Sequence, residues 1–269
     1  MANITVRRPG FEWPKDLSAM AVPSDPSRSC ELVALSFTMP YLEPYLIRTM
    51  RLAAKKVDDP ELGSDMKAFS GQEAQHFQNH AQINDLVRAK LSPQTAAAME
   101  KLEGELDADY RRFTDSKSLA FNLAYAEGFE AMTFALARCS MESSLSAHTS
   151  DGWRELMGWH LLEEIEHRTV TYDAYENIVG RYWYRVIVGG WAQIHYGSYL
   201  LKMARVLQQE LVDPEVSMRS VVAQALKRNW KTGTIPGTLK AMSPRYNPRR
   251  VPLSPALRQA AANEGIPLD

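Results

Sequence analysis

Cysteine is scarce in this sequence, neither sign of charge dominates, and the N-terminal residues contain no long apolar run. The 269 residues include two cysteines, Cys30 and Cys139, which are too few for a disulfide framework or a thiolate metal cluster. The 31 basic and 32 acidic residues give a net charge of −1, which argues against a general nucleic-acid binder because such proteins neutralise phosphates. The opening segment MANITVRRPGFEWPKDL lacks the apolar core of a signal peptide. These absences predict a cytoplasmic protein that binds no nucleic acid.

The composition is that of an ordinary globular protein, with 45% apolar and 23% charged residues. This balance excludes a disordered chain and a protein with several membrane spans. The chain is long enough for one large domain or two small ones, each with its own hydrophobic core. We therefore expect a folded protein without an integral membrane span.

Periodicity divides the chain into three parts. The first 30 residues contain four prolines and no regular apolar spacing, so they predict an irregular arm over residues 1–30, to which we assign no chemistry. From Pro40 onward apolar residues recur at steps of three and four and strand-like alternation is nearly absent, which predicts an all-α protein. The predicted helical domain covers residues 31–232, and a basic, proline-containing, extended tail packed on the helices covers 233–269.

Capping and breaking residues set the predicted helix boundaries. Asp58-Asp59-Pro60 ends one helix and caps the next, and Ser92-Pro93 starts another. The predicted helices run from Pro40 to Val57, from Pro60 past Val87, from Pro93 to about Arg112, from Leu119 to about Met141, and from Trp153 to Ile178.

Charged residues lie within the apolar faces of three of these helices. One face of the second helix carries Phe69, Glu73, His76, His80 and Ile83 at alternating steps of four and three. The same kind of spacing aligns Leu123, Glu127, Glu130 and Phe134 on the fourth helix, and His160, Glu164, His167 and Thr171 on the fifth. Acids and histidines on a core face predict a buried polar site.

The sequence Glu-x-x-His occurs twice, at Glu73–His76 and at Glu164–His167. Side chains at i and i+3 lie one above the other on a helix, so a carboxylate and an imidazole can bind the same ion. An inward-facing glutamate on the preceding helix accompanies each pair: Glu43 before the first, and either Glu127 or Glu130 before the second. Four carboxylates and two imidazoles from four helices form the ligand set of a di-iron or di-manganese site within a bundle.

A metal site is expected here because burying charged side chains is costly. Carboxylates in a helical core are unfavourable unless they bind a cation, and two divalent ions balance four acids. Oxygen and imidazole ligands predict two Fe ions, with Mn or a mixed Fe/Mn pair as alternatives and Zn less favoured. His160, one turn before Glu164, lies on the correct face to add a third imidazole, whereas ligation by His80 stays open. We expect Glu163 and Glu166 to be solvated or to support the ligands, and His148 and His195 have no motif partner.

Three segments, LSFTMPYLEPYL, DPELGSDMKAFSGQEAQHFQNHAQIN and GWHLLEEIEHRTVTYDAY, resemble a bacterial family named as predicted metal-dependent hydrolases and placed in the ferritin-like superfamily. The resemblance covers roughly residues 10 to 230. It implies a ferritin-like four-helix bundle with a dinuclear metal site and additional C-terminal helices. The family motif of glutamate, two residues and threonine matches Glu130-Ala131-Met132-Thr133, so the resemblance favours Glu130 over Glu127 as the ligand.

The run from His160 through Glu164 to His167 is also similar to a motif of the p-aminobenzoate N-oxygenase family, which implies His160 as an additional iron ligand. The full predicted ligand set consists of Glu43, Glu73, His76, Glu130, His160, Glu164 and His167.

The ligand set suggests three functions. The leading hypothesis is a non-haem di-iron oxidoreductase, an oxygenase that uses O2 and an electron donor to oxidise a small organic substrate. The alternative is a dinuclear metal-dependent hydrolase in which a metal-activated water attacks an ester, amide or phosphate. A metal-storage or purely structural bundle is the third hypothesis. The aromatic stretch from Arg181 to Leu201 predicts a buried helix or a partner surface, which a homodimer would use.

Overall fold

The computed structural model describes residues 4–14, 16–142, 149–266 and 268, and this part of the chain contains helices and no strand. The predicted all-α fold class is therefore confirmed. The helices are α1 (Pro26–Ala53), α2 (Pro60–Arg88), α3 (Pro93–Ser116), α4 (Leu119–Glu142), α5 (Trp153–Glu166), α6 (Val170–Ile178), α7 (Tyr182–Leu211), α8 (Met218–Thr232), α9 (Thr234–Ala241) and α10 (Pro255–Asn263).

Helix α1 begins within the segment that we expected to be irregular, so the predicted start at Pro40 is wrong. The carboxylate of Asp25 caps the first turn, and Pro26 occupies a first-turn position in which a missing N–H does not matter. Pro40 lies inside the helix and leaves the backbone carbonyl of Ser36 without its helical donor. The side-chain amide of Asn84 donates to that carbonyl instead, at 2.9 Å, so the helix continues through the proline.

The predicted caps of α2 and α3 are confirmed. The Asp59 carboxylate accepts bonds from backbone N–H groups in the first turn of α2. The Ser92 hydroxyl accepts a 3.2 Å bond from the backbone N–H of Thr95 at the start of α3. Helix α3 ends at Ser116, one turn beyond the predicted end near Arg112.

The single helix predicted from Trp153 to Ile178 is two helices. The chain turns between α5 and α6 at His167, where φ is −92° and ψ is 8°. The backbone N–H of His167 still bonds to the carbonyl of Glu163, at 3.0 Å, so His167 keeps its helical position relative to Glu164. The turn therefore preserves the Glu-x-x-His geometry while it redirects the chain into α6.

Helices α4 and α7 cross in direct contact at Gly128 and Gly189. A Cβ atom on Gly128 would lie 2.2 Å from the Cα of Gly189, so the two backbones approach more closely than any side chain would allow. The crossing buries one face of α7, including Tyr196, while Trp183 and Ile187 on another face are 70% and 68% exposed. The aromatic stretch is therefore a half-buried helix. No described helix is long and apolar enough to cross a membrane.

Residues 233–269 were expected to be extended, and that expectation is wrong, because α9 and α10 lie within them. Their packing on the bundle occurs as expected. Leu257 of α10 belongs to a buried cluster with Phe134 of α4. The Arg249 guanidinium donates to the Asp173 carboxylate at 2.6 Å, so basic residues of this segment pair with acids of the preceding helices.

Candidate metal centre

Four helices bring the seven predicted ligands into one buried cluster. Each of these side chains belongs to a residue that is at most 4% exposed. Helix α1 supplies Glu43, α2 supplies Glu73 and His76, α4 supplies Glu130, α5 supplies His160 and Glu164, and His167 follows directly after α5.

One half of the cluster surrounds the imidazole of His167. Its Nε2 atom lies 3.5 Å from Glu73 Oε1, 3.4 Å from Glu130 Oε2 and 3.5 Å from Glu164 Oε2. Ligand atoms bound at about 2.1 Å to one cation are separated by roughly 3.0–3.4 Å from their neighbours. The spacing in this half is therefore close to that of ligands around a single ion.

The other half consists of Glu43, His76 and His160, and each residue contributes a ligand atom within 4.8 Å of the others. Glu164 faces both halves. Its Oε1 lies 3.0 Å from His160 Nε2, whereas its Oε2 faces His167. Glu73 Oε1 is also shared, at 3.6 Å from His76 Nδ1 and 3.5 Å from His167 Nε2. Two carboxylates thus connect the two groups.

Many of the ligand atoms in this cluster lack hydrogen bonds. Buried atoms without a hydrogen-bond partner include both oxygens of Glu43, one oxygen each of Glu73, Glu130 and Glu164, Nδ1 of His76 and Nε2 of His167. Such atoms cost about 1–3 kcal/mol each when nothing binds them, and more when they are charged. Their convergence fits divalent cations, because oxygen and imidazole nitrogen are suitable ligands. The two groups could therefore hold metal ions.

The outer nitrogens of two imidazoles are held by hydrogen bonds. His76 Nε2 lies 3.0 Å from the Glu163 carboxylate, which can only accept, so Nε2 carries the proton and Nδ1 presents a lone pair to the cluster. His167 Nδ1 lies 3.0 Å from the Gln72 side-chain oxygen, which leaves Nε2 directed at the carboxylates. Gln72 is oriented because its amide donates to Glu166 at 2.6 Å. Such bonds fix the tautomer and the ring orientation of a metal ligand.

A longer chain of hydrogen bonds orients His160. The Ser36 hydroxyl donates its only proton to the side-chain oxygen of Asn84, so it accepts from His80 Nδ1 at 2.8 Å. His80 Nε2 therefore accepts from His160 Nδ1 at 2.7 Å, and His160 Nε2 faces Glu164 without a proton. Both ring nitrogens of His80 are used in this chain, so its geometry is that of a supporting residue.

Arg7 holds the outer acids in place. Its guanidinium donates to Glu163 at 3.1 Å and to Glu166 at 2.7 and 3.1 Å. Glu163 contacts His76, and Glu166 reaches His167 through Gln72, so one arginine supports two imidazoles. Of the two alternatives expected for Glu163 and Glu166, solvation is wrong because both are buried, whereas support of the ligands agrees with their contacts. The arm, to which the sequence assigned no chemistry, supplies this arginine.

Burial and charge make the cluster retain protons. Burial, reinforced by the neighbouring Glu164, raises the pKa of Glu73 and that of Glu130 to about 8. Burial opposes the charge of His167 too, yet Glu164 and Glu130 outweigh it and raise the pKa of this imidazole well above its usual value. His167 and His160 in turn hold the pKa of Glu164 well below its usual range, although burial acts in the opposite direction. Cations would replace these protons.

The remaining candidates lie outside the cluster. Glu127 accepts a 2.9 Å bond from the buried guanidinium of Arg185, so it is already paired with a cation. His195 bonds to Tyr125 and to Asp109. His148 lies outside the described residues. Of the two glutamates considered on α4, Glu130 is therefore the one that faces the other acids.

Sequence reasoning missed the supporting residues Arg7, Gln72 and Asn84. Arg7 and Glu166 are separated by 159 positions, and no periodicity relates the arm to α5. Asn84 offered a signal, because it lies four residues after His80 and extends the polar stripe of α2 by one turn. Gln72 precedes Glu73 directly and offered no signal of this kind.

The fold and the site define the class: an all-helical protein with a buried constellation of glutamates and histidines that could hold metal ions. A family model described as a predicted metal-dependent hydrolase matches residues 5–251, and the chain belongs to that family. The family resemblance in the sequence is thereby confirmed, whereas placement in the ferritin-like superfamily stays a prediction. No curated protein and no solved structure matches the chain.

Proposed function

We propose that this protein is a dinuclear metal-dependent hydrolase whose two divalent cations are bound by Glu43, Glu73, His76, Glu130, His160, Glu164 and His167. The carrying observation is that the two oxygens of Glu164 face two adjacent groups of buried ligand atoms, many of which have no hydrogen-bond partner. The family description favours hydrolysis over the oxygenase that the ligand set alone suggested.

Divalent cations in such a site supply Lewis acidity and lower the pKa of a water molecule that they coordinate. The protein supplies position and charge. Four glutamates would balance the charge of two divalent ions, and Glu164 would offer one oxygen to each group of ligands. The hydrogen bonds of Glu163, Gln72 and His80 present one lone pair of each imidazole to the centre. Burial of the ligands excludes bulk water.

Turnover without oxygen tests this proposal. The protein is stripped with a chelator, reloaded with Zn2+ or Mn2+ under argon, and assayed on a panel of p-nitrophenyl esters, phosphate esters and anilides. We expect hydrolysis that requires the metal and proceeds without O2. Two bound ions per chain with no hydrolysis of any substrate class would contradict hydrolysis while leaving the metal site intact.

The composition of the ligand set favours a second candidate, a di-iron oxygenase. Four carboxylates stabilise oxidised iron, and the dry surroundings suit reactive oxygen chemistry. This candidate would require O2, an electron donor and a small organic substrate. The test is to load Fe2+ anaerobically and then admit O2 in an oxygen electrode with a spectrophotometer. Rapid oxygen uptake with a transient visible absorption band would support the oxygenase, and no uptake would exclude it.

A further inference from the structure

A groove of about 480 Å³ lies between α4, α7, α8 and α9. This volume is within the range of small-molecule binding sites. Its walls are largely aliphatic and include Leu136, Leu200 and Ile235. At its mouth, Ile194, Leu226 and Leu239 are 74%, 56% and 52% exposed. Large apolar side chains gathered in an exposed position mark a surface at which an apolar molecule binds.

Two residues that line the groove lie close to the candidate ligand Glu130 or to its neighbour in the chain. Thr133 lines the groove one turn after Glu130, and its hydroxyl donates to the Glu130 backbone carbonyl at 3.0 Å. Tyr196 also lines the groove, and its hydroxyl bonds to Thr38 at 3.0 Å. The Tyr196 ring packs edge to face on Phe129, the residue directly before Glu130, with ring centroids 4.9 Å apart. The groove thus borders the part of α4 that carries Glu130.

The groove offers no free charge to an ionic group. Among the described residues that line it, Glu31 is the one charged side chain, and it is paired with Arg228 and Arg28. The amide groups also use their donors internally. Gln193 donates to the Gly128 carbonyl at 2.9 Å, and Asn229 donates to a carbonyl of its own helix at 3.0 Å. An anionic headgroup would lose its hydration here without a partner.

We propose that this groove binds the hydrocarbon body of an elongated, uncharged substrate and directs its reactive group to the Thr133 and Tyr196 end. The inference rests on the proposed function and names the substrate class of that site: neutral esters or amides with a long apolar chain. The neutral, aliphatic lining matches such a molecule in charge, and the apolar mouth accommodates a chain that extends to the surface.

Binding is measured separately from catalysis. The neutral dye Nile red is titrated into the purified protein, with and without Mn2+, and is displaced by ethyl esters of increasing acyl length or by the corresponding carboxylate anions. We expect saturable binding at one site per chain, with competition by the esters strengthening about threefold to fourfold per methylene group. The carboxylates should compete at least tenfold more weakly. Equal competition by esters and anions would overturn the proposal.

A glycine in the groove provides a matched pair of variants. Gly197 lines the groove, and a Cβ added there meets no atom within 4 Å, so Gly197→Phe places a ring in the space. Gly104 on α3 is equally open and lies away from the groove, so Gly104→Phe is the control. We expect Gly197→Phe to weaken Nile red and ester binding at least tenfold while Mn2+ binding is unchanged in both variants. Equal dye binding in the two variants would overturn the proposal.

Two other molecules could occupy the groove, and each would give a different experimental result. A second copy of the chain would give concentration-dependent dimers that Ile194→Glu disrupts. A lipid bilayer would give cosedimentation with phosphatidylcholine vesicles. Either result without saturable ester binding to the monomer would overturn the proposal. If metal binds but dye does not, the groove is not a binding site and the proposed metal centre is unaffected. If dye binds but metal does not, the proposed metal centre is wrong and binding in the groove is unaffected.

Discussion

Glu164 is the single residue on which the candidate centre depends most. Its carboxylate contributes one oxygen to each group of ligands, at 3.0 Å from His160 and 3.5 Å from His167. It is also the acid whose negative charge keeps His167 protonated, since the two side chains shift the pKa of each other in opposite directions. A neutral side chain at this position would remove a connection between the ions without changing the volume of the core.

We therefore predict that Glu164→Gln lowers the bound metal from two ions per chain to one or none. The amide is nearly isosteric, so the helical content should be unchanged, but its nitrogen end cannot bind a cation. Metal analysis after equilibrium dialysis against Mn2+, together with circular dichroism, measures both properties. The control is Glu155→Gln on the exposed side of α5. Two ions bound to Glu164→Gln would show that this carboxylate does not join the sites.

Arg7 is a positioning residue that acts through two acids. It contacts Glu163 and Glu166, which orient His76 directly and His167 through Gln72. Loss of such supporting contacts typically lowers metal affinity about 10–100-fold.

We expect Arg7→Met to weaken Mn2+ binding by about this factor, and Arg7→Lys to restore part of the affinity because the charge returns without the bidentate geometry. Calorimetric titration measures the affinities. Arg8→Met, at the exposed neighbouring position, is the matched control and should bind like the unaltered chain. The positioning role is excluded if Arg7→Met and Arg8→Met have equal affinities.

The pKa shifts of the cluster predict an unusual pH dependence of stability. The pKa values of Glu73 and Glu130 are raised to about 8 by burial, so the folded state binds protons that the unfolded state releases above its ordinary pKa of about 4.5. His167 has a raised pKa as well, and its stabilisation is also lost as the pH rises above the unfolded value of about 6.5. Glu164 retains its charge throughout this range, because its pKa is lowered. Burial lowers the pKa of His80 and that of His160, which opposes the trend below the unfolded value of about 6.5, but burial raises the pKa of Glu43 as well, so three acids outweigh these two imidazoles.

Metal-free protein should therefore lose free energy of unfolding between pH 5 and pH 8. Each kcal/mol lost lowers Tm by about 2–4 °C in a chain of this size. Bound cations should reverse the trend, because metal binding requires deprotonated ligands and strengthens as the pH rises. Thermal unfolding at both pH values, in chelator and in Mn2+, measures these effects. A Tm in chelator that rises from pH 5 to pH 8 would contradict the proposed protonation of the acids.

At the scale of helices, predictions based on neighbouring residues were reliable. Asp59 and Ser92 cap α2 and α3 as expected, since a cap depends on a few adjacent residues. Steps of three and four placed Glu73 and His76 on the buried face of α2, because a helix has a fixed period. The elements that carry the candidate ligands were therefore accessible from the sequence.

Features that depend on contacts between residues far apart in the chain could not be predicted from the sequence. Helix α1 passes through Pro40 because Asn84 of α2 satisfies the carbonyl that the proline leaves free, and no local rule contains that partner. The turn at His167 and the contacts of Arg7 likewise depend on side chains far away in the sequence. The pattern revealed which residues face inward, whereas tertiary packing decided how the chain turns and what holds the imidazoles.

The crossing of α4 and α7 has no room for a side chain larger than that of glycine at position 128. Because a Cβ on Gly128 would lie 2.2 Å from Gly189 backbone, Gly128→Ala must separate the helices. We expect a loss of about 1–3 kcal/mol in the free energy of unfolding, the usual cost of overpacking. Gly104→Ala is the control, since it has open space and should stabilise α3 by about 0.5–1 kcal/mol. Urea unfolding compares the two variants, and equal stabilities would contradict the close crossing.

At the scale of the whole molecule, folding pairs basic residues of the C-terminal segment with acids of the preceding helices. Nine basic residues and no acid lie between Val216 and Asn263, which predicts a segment attracted to the acid-rich remainder. Arg228 of α8 pairs with Glu31 of α1, and Arg249 pairs with Asp173 of α6. The C-terminal segment thus closes over the helices that carry the candidate ligands, and α8 and α9 complete the wall of the groove.

The ligands come from four helices, so metal binding should stabilise the molecule across most of its length. A ligand that binds only the folded state at a hundred times its Kd adds about 2.7 kcal/mol to the free energy of unfolding. In hydrogen exchange, we expect Mn2+ to slow the amides of α1, α2, α4 and α5 together, with a smaller effect in α8, which supplies no ligand. Glu164→Gln should abolish this difference. Protection confined to α2 alone would mean that the ions bind one Glu-x-x-His motif rather than a centre shared by four helices.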